Sequence, residues 1–266
     1  MSLHWPFGTR QGGMRSRLIF ALDVGSVSEA TGLVDRLVSE VGLFKVGKQL
    51  FLHAGPGIVQ MIRDRGGEVF LDLKFHDIPR TVAKAAAETT RMGVRMFDVH
   101  ASGSLEMMQR TVAEVTKVCR AEGLRRPKVL AVTVLTSLNR DDLKRVGVVS
   151  GVENQVVRLA RLAQEAKMDG VVASPQEIVP IRKECGRGFL IVTPGVRLRG
   201  GTWEDQKRVM TPEAAIRAGA DYLVIGQPIR DAADPVSAAR EIVAAMERGL
   251  AAPDRRTRAT LDPTQP

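Results

Sequence analysis

Cysteine is scarce in this sequence, and long apolar runs are missing from it. The 266 residues include two cysteines, Cys119 and Cys185, whose wide separation fits neither a disulfide framework nor a metal or redox motif. No stretch approaches the roughly 18 consecutive apolar residues of a membrane span. Residues 1–17 also lack the apolar segment of a secretory signal peptide. We therefore expect reduced thiols, no membrane partner and a cytoplasmic location.

Aromatic residues are also few, at 4% of the chain, so few surfaces exist on which nucleic-acid bases could stack. The formal charge of +9 would otherwise favour a nucleic-acid ligand. However, three arginines precede Leu18 and one net positive charge follows Gly249, so four of the nine positive charges lie at the chain ends. The remaining charge suits a small anionic ligand, and we predict that nucleic acid is not a partner.

The chain is long enough, and at 44% hydrophobic residues apolar enough, to fold around one large core. The sequence predicts a single domain over residues 18–249. Because polar terminal segments without a core-forming pattern are commonly disordered, we predict a disordered extension over residues 1–17 and a disordered tail over residues 250–266.

Eight short apolar runs alternate with segments that have helical periodicity. The first helical segment, residues 26–42, can begin at a cap on Ser26 or Ser28 and end at Gly42. Runs that are apolar on both faces indicate parallel strands covered by helices, so eight units predict a closed (β/α)8 barrel, the TIM barrel. An open doubly wound sheet is the alternative, although no G-x-G-x-x-G follows the first run. The runs occupy residues 18–24, 44–48, 68–74, 96–101, 128–135, 170–175, 189–195 and 222–227.

Polar residues collect where these runs end, which is where barrels of this class form their active sites. Packing alone does not account for Lys, Asp and His at so many strand ends, so we predict a functional site there. The positions are Asp23, Lys45, Lys48, Asp72, Lys74, Asp98, His100, Thr136, Ser137, Ser174, Thr193, Pro194, Gly195, Gly226 and Gln227.

The stretch FLDLKFHDIPRT, residues 70–81, concentrates this charge. Side chains two positions apart on a strand share a face, so Asp72 and Lys74 should face the barrel interior. Asp77 falls past the strand, where the next helix begins. Carboxylates favour the charged form of a neighbouring amine, so Lys74 is expected to be an ammonium and a proton donor. A purely structural ion-pair network is the alternative, since such networks also hold charge in place.

The loops after the seventh and eighth runs have the composition of a phosphate site. Residues 193–212 and 225–235 are rich in Gly and include Arg197 and Arg230. Glycine lets backbone N–H groups approach an anion, and arginine supplies a forked cation. Barrels often bind phosphate with these two loops, and the longer loop has the length of a closing lid. The pattern predicts a phosphorylated ligand.

These residues resemble the orotidine 5′-monophosphate decarboxylases, in particular the bacterial form, from about Leu18 to Met246. The D-x-K-x-x-D core alone is only moderately specific, whereas all the family motifs in order are very specific. They are ALD at 21–23, FKVGK at 44–48, FLDLKFHDIPRT at 70–81, VHAS at 99–102, AVTVLTS at 131–137, VTPGVR at 192–197, DQKRVMTP at 205–212 and DYLVIG at 221–226.

The resemblance implies decarboxylation of orotidine 5′-monophosphate to uridine 5′-monophosphate and CO2, the last step of de novo pyrimidine synthesis, without metal or organic cofactor. It implies that Lys74 protonates C6 while Asp72 lies beside the substrate carboxylate and helps to hold the lysine. It also implies a homodimer in which Asp77 and Thr81 reach the partner's site. Asp98 and His100 are expected to support this network by hydrogen bonds.

The resemblance further implies a set of substrate-binding residues. Asp23, Lys45, Asp77 and Thr81 would bind the ribose region, and Thr136 would lie near the pyrimidine. The predicted contacts of the phosphate are Arg197, Gln206, Gly226 and Gln227, and Pro194 completes the predicted substrate-binding set. Gln227 is a departure, because the family usually has Arg there; we hypothesise weaker phosphate affinity or compensation by Arg230.

Two other functions stay open from sequence. Keto-gulonate phosphate decarboxylases and hexulose phosphate synthases share the D-x-K-x-x-D motif but use Mg²⁺, held by an acidic residue at the end of the second strand. Lys45 stands there in this chain and would repel a divalent cation. The other alternative is a catalytically silent phosphate- or RNA-binding barrel, against which the complete set of Asp72, Lys74 and Asp77 argues.

Overall fold

A closed barrel of parallel strands forms the centre of the protein. The computed structural model describes residues 13–197 and 210–251. Each strand pairs in parallel with the next in sequence, and the eighth pairs with the first. Closure confirms the predicted (β/α)8 barrel and excludes the open sheet. The strands are β1 (Leu18–Ala21), β2 (Leu43–Gly47), β3 (Val69–Phe75), β4 (Met96–His100), β5 (Lys128–Val132), β6 (Gly170–Val172), β7 (Leu190–Pro194) and β8 (Tyr222–Ile225).

Helices follow every strand and cover the outside of the barrel. In α1 the Ser26 hydroxyl accepts a hydrogen bond from the Glu29 N–H at 3.2 Å, as the capping pattern predicts. That helix ends at Leu37 and not at Gly42, which lies instead in the turn before β2. The helices are α1 (Val27–Leu37), α2 (Lys48–Ala54), α3 (Gly57–Asp64), α4 (Pro79–Arg91), α5 (Leu105–Glu122), α6 (Arg140–Arg145), α7 (Val152–Glu165), α8 (Ile178–Cys185), α9 (Pro212–Ala218), α10 (Gln227–Arg230) and α11 (Pro235–Ala251).

Two apolar layers lie on the two faces of the strands. Alternation along β1 shows the arrangement, because Leu18 and Phe20 belong to the large cluster that packs against the helices, whereas Ile19 and Ala21 belong to a smaller cluster inside the barrel. The small interior cluster fills the middle of the barrel, and charged side chains lie beyond it at the C-terminal mouth. Its buried members are Ile19, Ala21, Leu43, Phe70, Met96, Leu130, Leu190, Val192 and Val224.

The predicted disorder of residues 1–17 is wrong for the last four of them. Met14–Arg17 form a short 3-10 helix in which Met14 is buried against the barrel. The backbone of Ser16 packs so closely on Gly42 that a Cβ there would lie 2.3 Å from the Ser16 carbonyl oxygen. Burial of Met14 and this close approach stabilise the segment. Residues 1–12 and 252–266 lie outside the described residues, and α11 continues to Ala251, so it includes the first two residues of the predicted tail.

We expect Gly170→Ala to destabilise the barrel. Gly170 begins β6, and a Cβ at this position would lie 2.3 Å from the Leu190 carbonyl oxygen on β7. Overpacking of this kind costs about 1–3 kcal/mol, because the neighbouring backbone must shift. Thermal unfolding should show a lower Tm than in the matched control Gly188→Ala, since no atom lies within 4 Å of a Cβ at Gly188. Equal Tm values for the two variants would contradict the prediction.

Candidate active site

The C-terminal mouth of the barrel collects the charged residues that the strand pattern predicts. Asp23 follows β1, Lys45 lies in β2, and Asp72 and Lys74 lie in β3. Leu71 is buried in the outer apolar cluster, so the β3 carboxylate and amine face the opposite side, as predicted. The cavity at this mouth is lined by Asp23, Lys45, Gly47, Lys48, Gln49, Leu50, Asp72 and Lys74.

Four of these side chains form one row of alternating charge. Lys45 Nζ lies 2.8 Å from Asp23 Oδ1 and 3.4 Å from Asp72 Oδ2, so this amine bridges the two carboxylates. Lys74 Nζ donates to Asp72 Oδ1. The side chains of Lys45 and Asp72 are only 11% and 13% exposed. Each buried charge therefore has an opposite partner, which is what permits its burial.

The electrostatics keep Asp72 ionised. Burial opposes ionisation, but the charge of Lys45, a hydrogen bond with Asp98 and the charge of Lys74 outweigh it, and the pKa of Asp72 lies below its usual value. Asp98 behaves in the opposite way, because complete burial and the neighbouring Asp72 raise its pKa well above the ordinary range. Two adjacent carboxyl groups thus have divergent proton affinities, a pattern common at active sites.

The backbone of Lys74 has an unusual conformation. Its φ of 51° lies in the left-handed region, which costs a residue other than glycine about 1–3 kcal/mol and persists only where the surroundings enforce it. The pairing of β3 with β4 shifts between Leu71 and Phe75, so β3 bulges at this point. The Lys74 N–H donates to Asp98 Oδ1 at 2.8 Å. A bulge beside an active site commonly changes the direction of a side chain, and the side chain concerned here is that of Lys74, the predicted catalytic lysine.

Two histidines pack beside the row of charges. The rings of His76 and His100 have centroids 5.2 Å apart and an interplanar angle of 35°. Burial, followed by His76, Lys74 and Lys48, lowers the pKa of His100 to about 4. His100 is therefore neutral at pH 7, which agrees with a role as a hydrogen-bonding support of the charged network and not with a role as the proton donor.

Asp77 and Thr81 stand apart from the charges on β3. Asp77 precedes α4, and its Oδ1 accepts a hydrogen bond from the Ile78 N–H at 2.6 Å. Both side chains are exposed. Within the parts of the chain that the structure describes, no hydrogen bond or ion pair connects either side chain to Lys74. One chain thus brings together Asp72 and Lys74 but not Asp77.

The loops after β5 and β7 hold further predicted binding residues. Thr136 is exposed in the β5 loop, and Pro194 ends β7. The Arg197 N–H donates to the Met210 carbonyl at 3.2 Å, which joins the two ends of the long loop. The half-buried Arg197 is thereby fixed near the barrel mouth. Gln206 lies outside the described residues.

The loop after β8 carries a chain of hydrogen bonds back to β1. Gly226 precedes α10, whose first residue, Gln227, is exposed and hydrogen-bonds Asp231. The Arg230 guanidinium donates to Asp231 Oδ1 at 2.6 Å and to the Asp23 carbonyl at 2.9 Å. Arg230 therefore lies on the same face as the predicted ribose contact Asp23.

Comparison with known proteins identifies the family. The model described as orotidine 5′-phosphate decarboxylase / HUMPS family matches residues 16–242. The chain belongs to this family. A protein named orotidine 5′-phosphate decarboxylase from Geobacter sulfurreducens is 56% identical over 229 residues, covering 86% of this chain and 95% of that protein. A relative of the same name from Geotalea daltonii is 54% identical over 235 residues, covering 88% of this chain and 98% of that protein.

A solved structure of the same family agrees with the barrel. The crystal structure of orotidine 5′-phosphate decarboxylase from Lactobacillus acidophilus has a TM-score of 0.77 and 32% sequence identity, covering 86% of this chain and 98% of that one. In residues 13–197 and 210–251 of the present family member, no three His, Cys, Asp or Glu side chains are grouped to hold a metal ion. No helix in the same ranges is long and apolar enough to cross a membrane.

Sequence reasoning missed two features of this family member's site. The strand pattern places Lys48 at a strand end but indicates no role for it, yet Lys48 lines the cavity beside Lys45 and Lys74. Its place directly after Gly47, at the start of α2, is the signal that could have found it. The left-handed backbone of Lys74 carried no sequence signal, because lysine gives no sign of positive φ.

Proposed function

We propose that the protein removes CO2 from orotidine 5′-monophosphate and releases uridine 5′-monophosphate, as the last step of de novo pyrimidine synthesis and without a cofactor. The observation that carries this proposal is the row of alternating charge that Asp23, Lys45, Asp72 and Lys74 form at the barrel mouth. Membership of the orotidine 5′-phosphate decarboxylase / HUMPS family supports it. The free thiols Cys119 and Cys185 suit the reducing cytoplasm, where we expect the reaction to occur.

The row suggests how the C6 carboxylate is lost. Asp72 is ionised, and a second carboxylate brought to about 4 Å would be repelled by roughly 4 kcal/mol at an effective dielectric constant of about 20. Breaking the C6–carboxylate bond releases neutral CO2 and ends this repulsion, while the electron pair stays on C6. Lys74 Nζ then transfers a proton to C6. The ammonium also attracts the developing negative charge before the transfer is complete.

Binding far from C6 orients the pyrimidine. In this proposal Asp23 and Lys45 bind the ribose and Thr136 lies near the base. Interactions with the remote phosphate can close the long loop and hold the reacting carbon against Lys74. The residues proposed to contact the phosphate are Arg197, Gln206, Gly226 and Gln227, and Pro194 completes the proposed substrate-binding set.

The complete site is proposed to need a second copy of the chain. Asp77 and Thr81 are exposed and do not contact the Lys74 of their own chain among the described residues. Ile78 between them is 66% exposed, so its apolar side chain is available to pack against a second copy. A homodimer that buries Ile78 would place Asp77 and Thr81 in the partner's site.

The direct test follows the absorbance of orotidine 5′-monophosphate with purified protein in the presence of EDTA. We expect the substrate absorbance to fall at the same rate with and without the chelator. A reaction abolished by EDTA and restored by Mg²⁺ would favour the metal-dependent branch of the family, although Lys45 Nζ already bridges the carboxylates of Asp23 and Asp72. Nucleotide binding without turnover would favour a silent binding barrel.

We expect Gln227→Arg to lower the KM for the nucleotide by roughly fivefold, because hydrogen bonds from a charged donor contribute about 1 kcal/mol more than neutral ones. Gln227 is exposed at the start of α10, where an arginine fork can reach a phosphate. Steady-state kinetics of this variant and of Gln227→Ala give the comparison. An unchanged KM in Gln227→Arg would contradict the hypothesis that Gln227 weakens phosphate binding in the natural protein. A raised KM in Arg230→Gln would support the hypothesis that Arg230 compensates for the missing arginine.

A further inference from the structure

Asp98 of β4 lies opposite the bulge in β3. Leu71 pairs with Phe97, and Phe75 pairs with Val99, so three residues of β3 lie opposite the single residue Asp98. The regular ladder is interrupted across this bulge. The Asp98 side chain replaces part of it, because its Oδ1 accepts the Lys74 N–H at 2.8 Å. The left-handed φ of Lys74 is thus held by a side chain of the adjacent strand.

The second oxygen of Asp98 has no donor among the described residues. Asp98 is fully buried, and Oδ2 lacks a hydrogen-bond donor. The charged groups that face it are Asp72 and Lys74, whose Nζ donates to Asp72. On the other side its pairing neighbour is the apolar Leu130 of β5. Two neighbouring buried carboxyl groups repel each other when both are ionised, whereas a carboxyl group that carries a proton can donate a hydrogen bond to the other.

The balance of charge places that proton on Asp98. Lys45 and Lys74 already offset the charges of Asp23 and Asp72, so an ionised Asp98 would leave a buried negative charge without a partner. Asp72 contacts both amines directly, which favours its ionised form. The raised pKa of Asp98, caused by burial and then by Asp72, agrees with this placement.

We propose, for the decarboxylation proposed above, that Asp98 is a positioning residue: as a neutral carboxylic acid it fixes the backbone of Lys74 through one oxygen and donates a hydrogen bond to Asp72 through the other. Asp98 does not touch the substrate. Its hydrogen bonds position the Lys74 amine that protonates C6 and orient the Asp72 carboxylate that lies beside the departing CO2. Its neutrality leaves Asp72 as the only anion between the two lysines.

Substitution of Asp98 separates positioning from general structural support. Asp98→Ala removes the acceptor of the Lys74 N–H, and misplacement of a reacting group by about 1 Å can reduce turnover by roughly 10²-fold. We expect a fall of that size in kcat with a smaller change in KM. Asp98→Asn keeps an oxygen for the Lys74 N–H and an N–H for Asp72, so it should rescue kcat to within a few-fold. Val129→Ala, a buried truncation on the outer face of β5, controls for lost stability and should keep kcat.

The pH profile and the infrared spectrum test the neutral form. If Asp98 is already neutral, Asp98→Asn should leave both limbs of the kcat/KM profile in place. The wild type should show a protonated-carboxyl C=O band at neutral pH that is lost in Asp98→Asn. The proposal is overturned by a wild-type kcat in Asp98→Ala, by failure of Asp98→Asn to rescue, by a shifted pH limb or by absence of the band. The infrared measurement needs no substrate, so inactivity of the wild type would overturn the decarboxylation and not the neutral Asp98.

Discussion

Replacing Lys74 by alanine is expected to reduce kcat by at least about 10³-fold, because general acid catalysis contributes roughly 10²–10⁴ and a fixed cation beside developing charge contributes further. Lys74 Nζ contacts Asp72 at the end of β3 and is the amine proposed to protonate C6. Single-turnover kinetics with orotidine 5′-monophosphate measure the chemical step directly.

Binding and a matched lysine separate this effect from misfolding. Lys45 remains beside Asp72 in the variant, so the buried carboxylate keeps a cationic partner and the fold should persist. The product uridine 5′-monophosphate should still bind Lys74→Ala. Lys183→Ala, at an exposed position of α8, should keep the wild-type rate. A Lys74→Ala enzyme within tenfold of wild type would remove the lysine from the mechanism.

Mixing two inactive variants is expected to restore activity if the site is shared between chains. Asp77→Ala and Lys74→Ala should each be impaired as homodimers. In a mixed dimer, one site carries both substitutions and the other carries neither. Random pairing makes half of the dimers mixed, so about one quarter of the sites should be intact in a two-fold symmetric dimer. The measurement is kcat per chain after co-expression of the two variants.

The control for this experiment pairs two substitutions that belong to the same site. Asp72 and Lys74 are joined within one chain, so mixing Asp72→Ala with Lys74→Ala cannot create an intact site. That mixture should stay inactive. Recovery there as well would indicate that residual activity of the variants, and not a shared site, explains the result. No recovery with Asp77→Ala would place Asp77 in its own chain's site or outside the mechanism.

The barrel itself could be predicted from the sequence because its signals are local. Each of the eight apolar runs overlaps one of the strands, and β1, β4, β5, β6 and β8 begin at the first residue of the predicted run. Strand alternation likewise placed Leu71 on the outer face and Asp72 on the inner one. Alternation survives in the structure because both faces of each strand are buried and register errors would expose apolar side chains.

The ends of helices and the contacts between distant segments were harder to predict from the sequence. The order of Met14–Arg17 depends on Gly42, which is separated from it by β1 and α1 and admits the Ser16 backbone only because it lacks a side chain. The end of α1 at Leu37 instead of Gly42 has the same origin, since Gly42 belongs to the close approach before β2. Such contacts are made after the chain has folded and leave no periodic signal.

The sequence alone determined the barrel, the charged mouth and the pairing of Asp72 with Lys74, because strand periodicity and residue type suffice for each. The tertiary structure decided the contacts between residues that are distant in sequence, about which strand periodicity carries no information. It separated Asp77 from its own Lys74, bridged Asp23 to Asp72 through Lys45, and placed Asp98 opposite the β3 bulge. A bulge and a shared proton arise only when two strands meet, since each depends on groups from both.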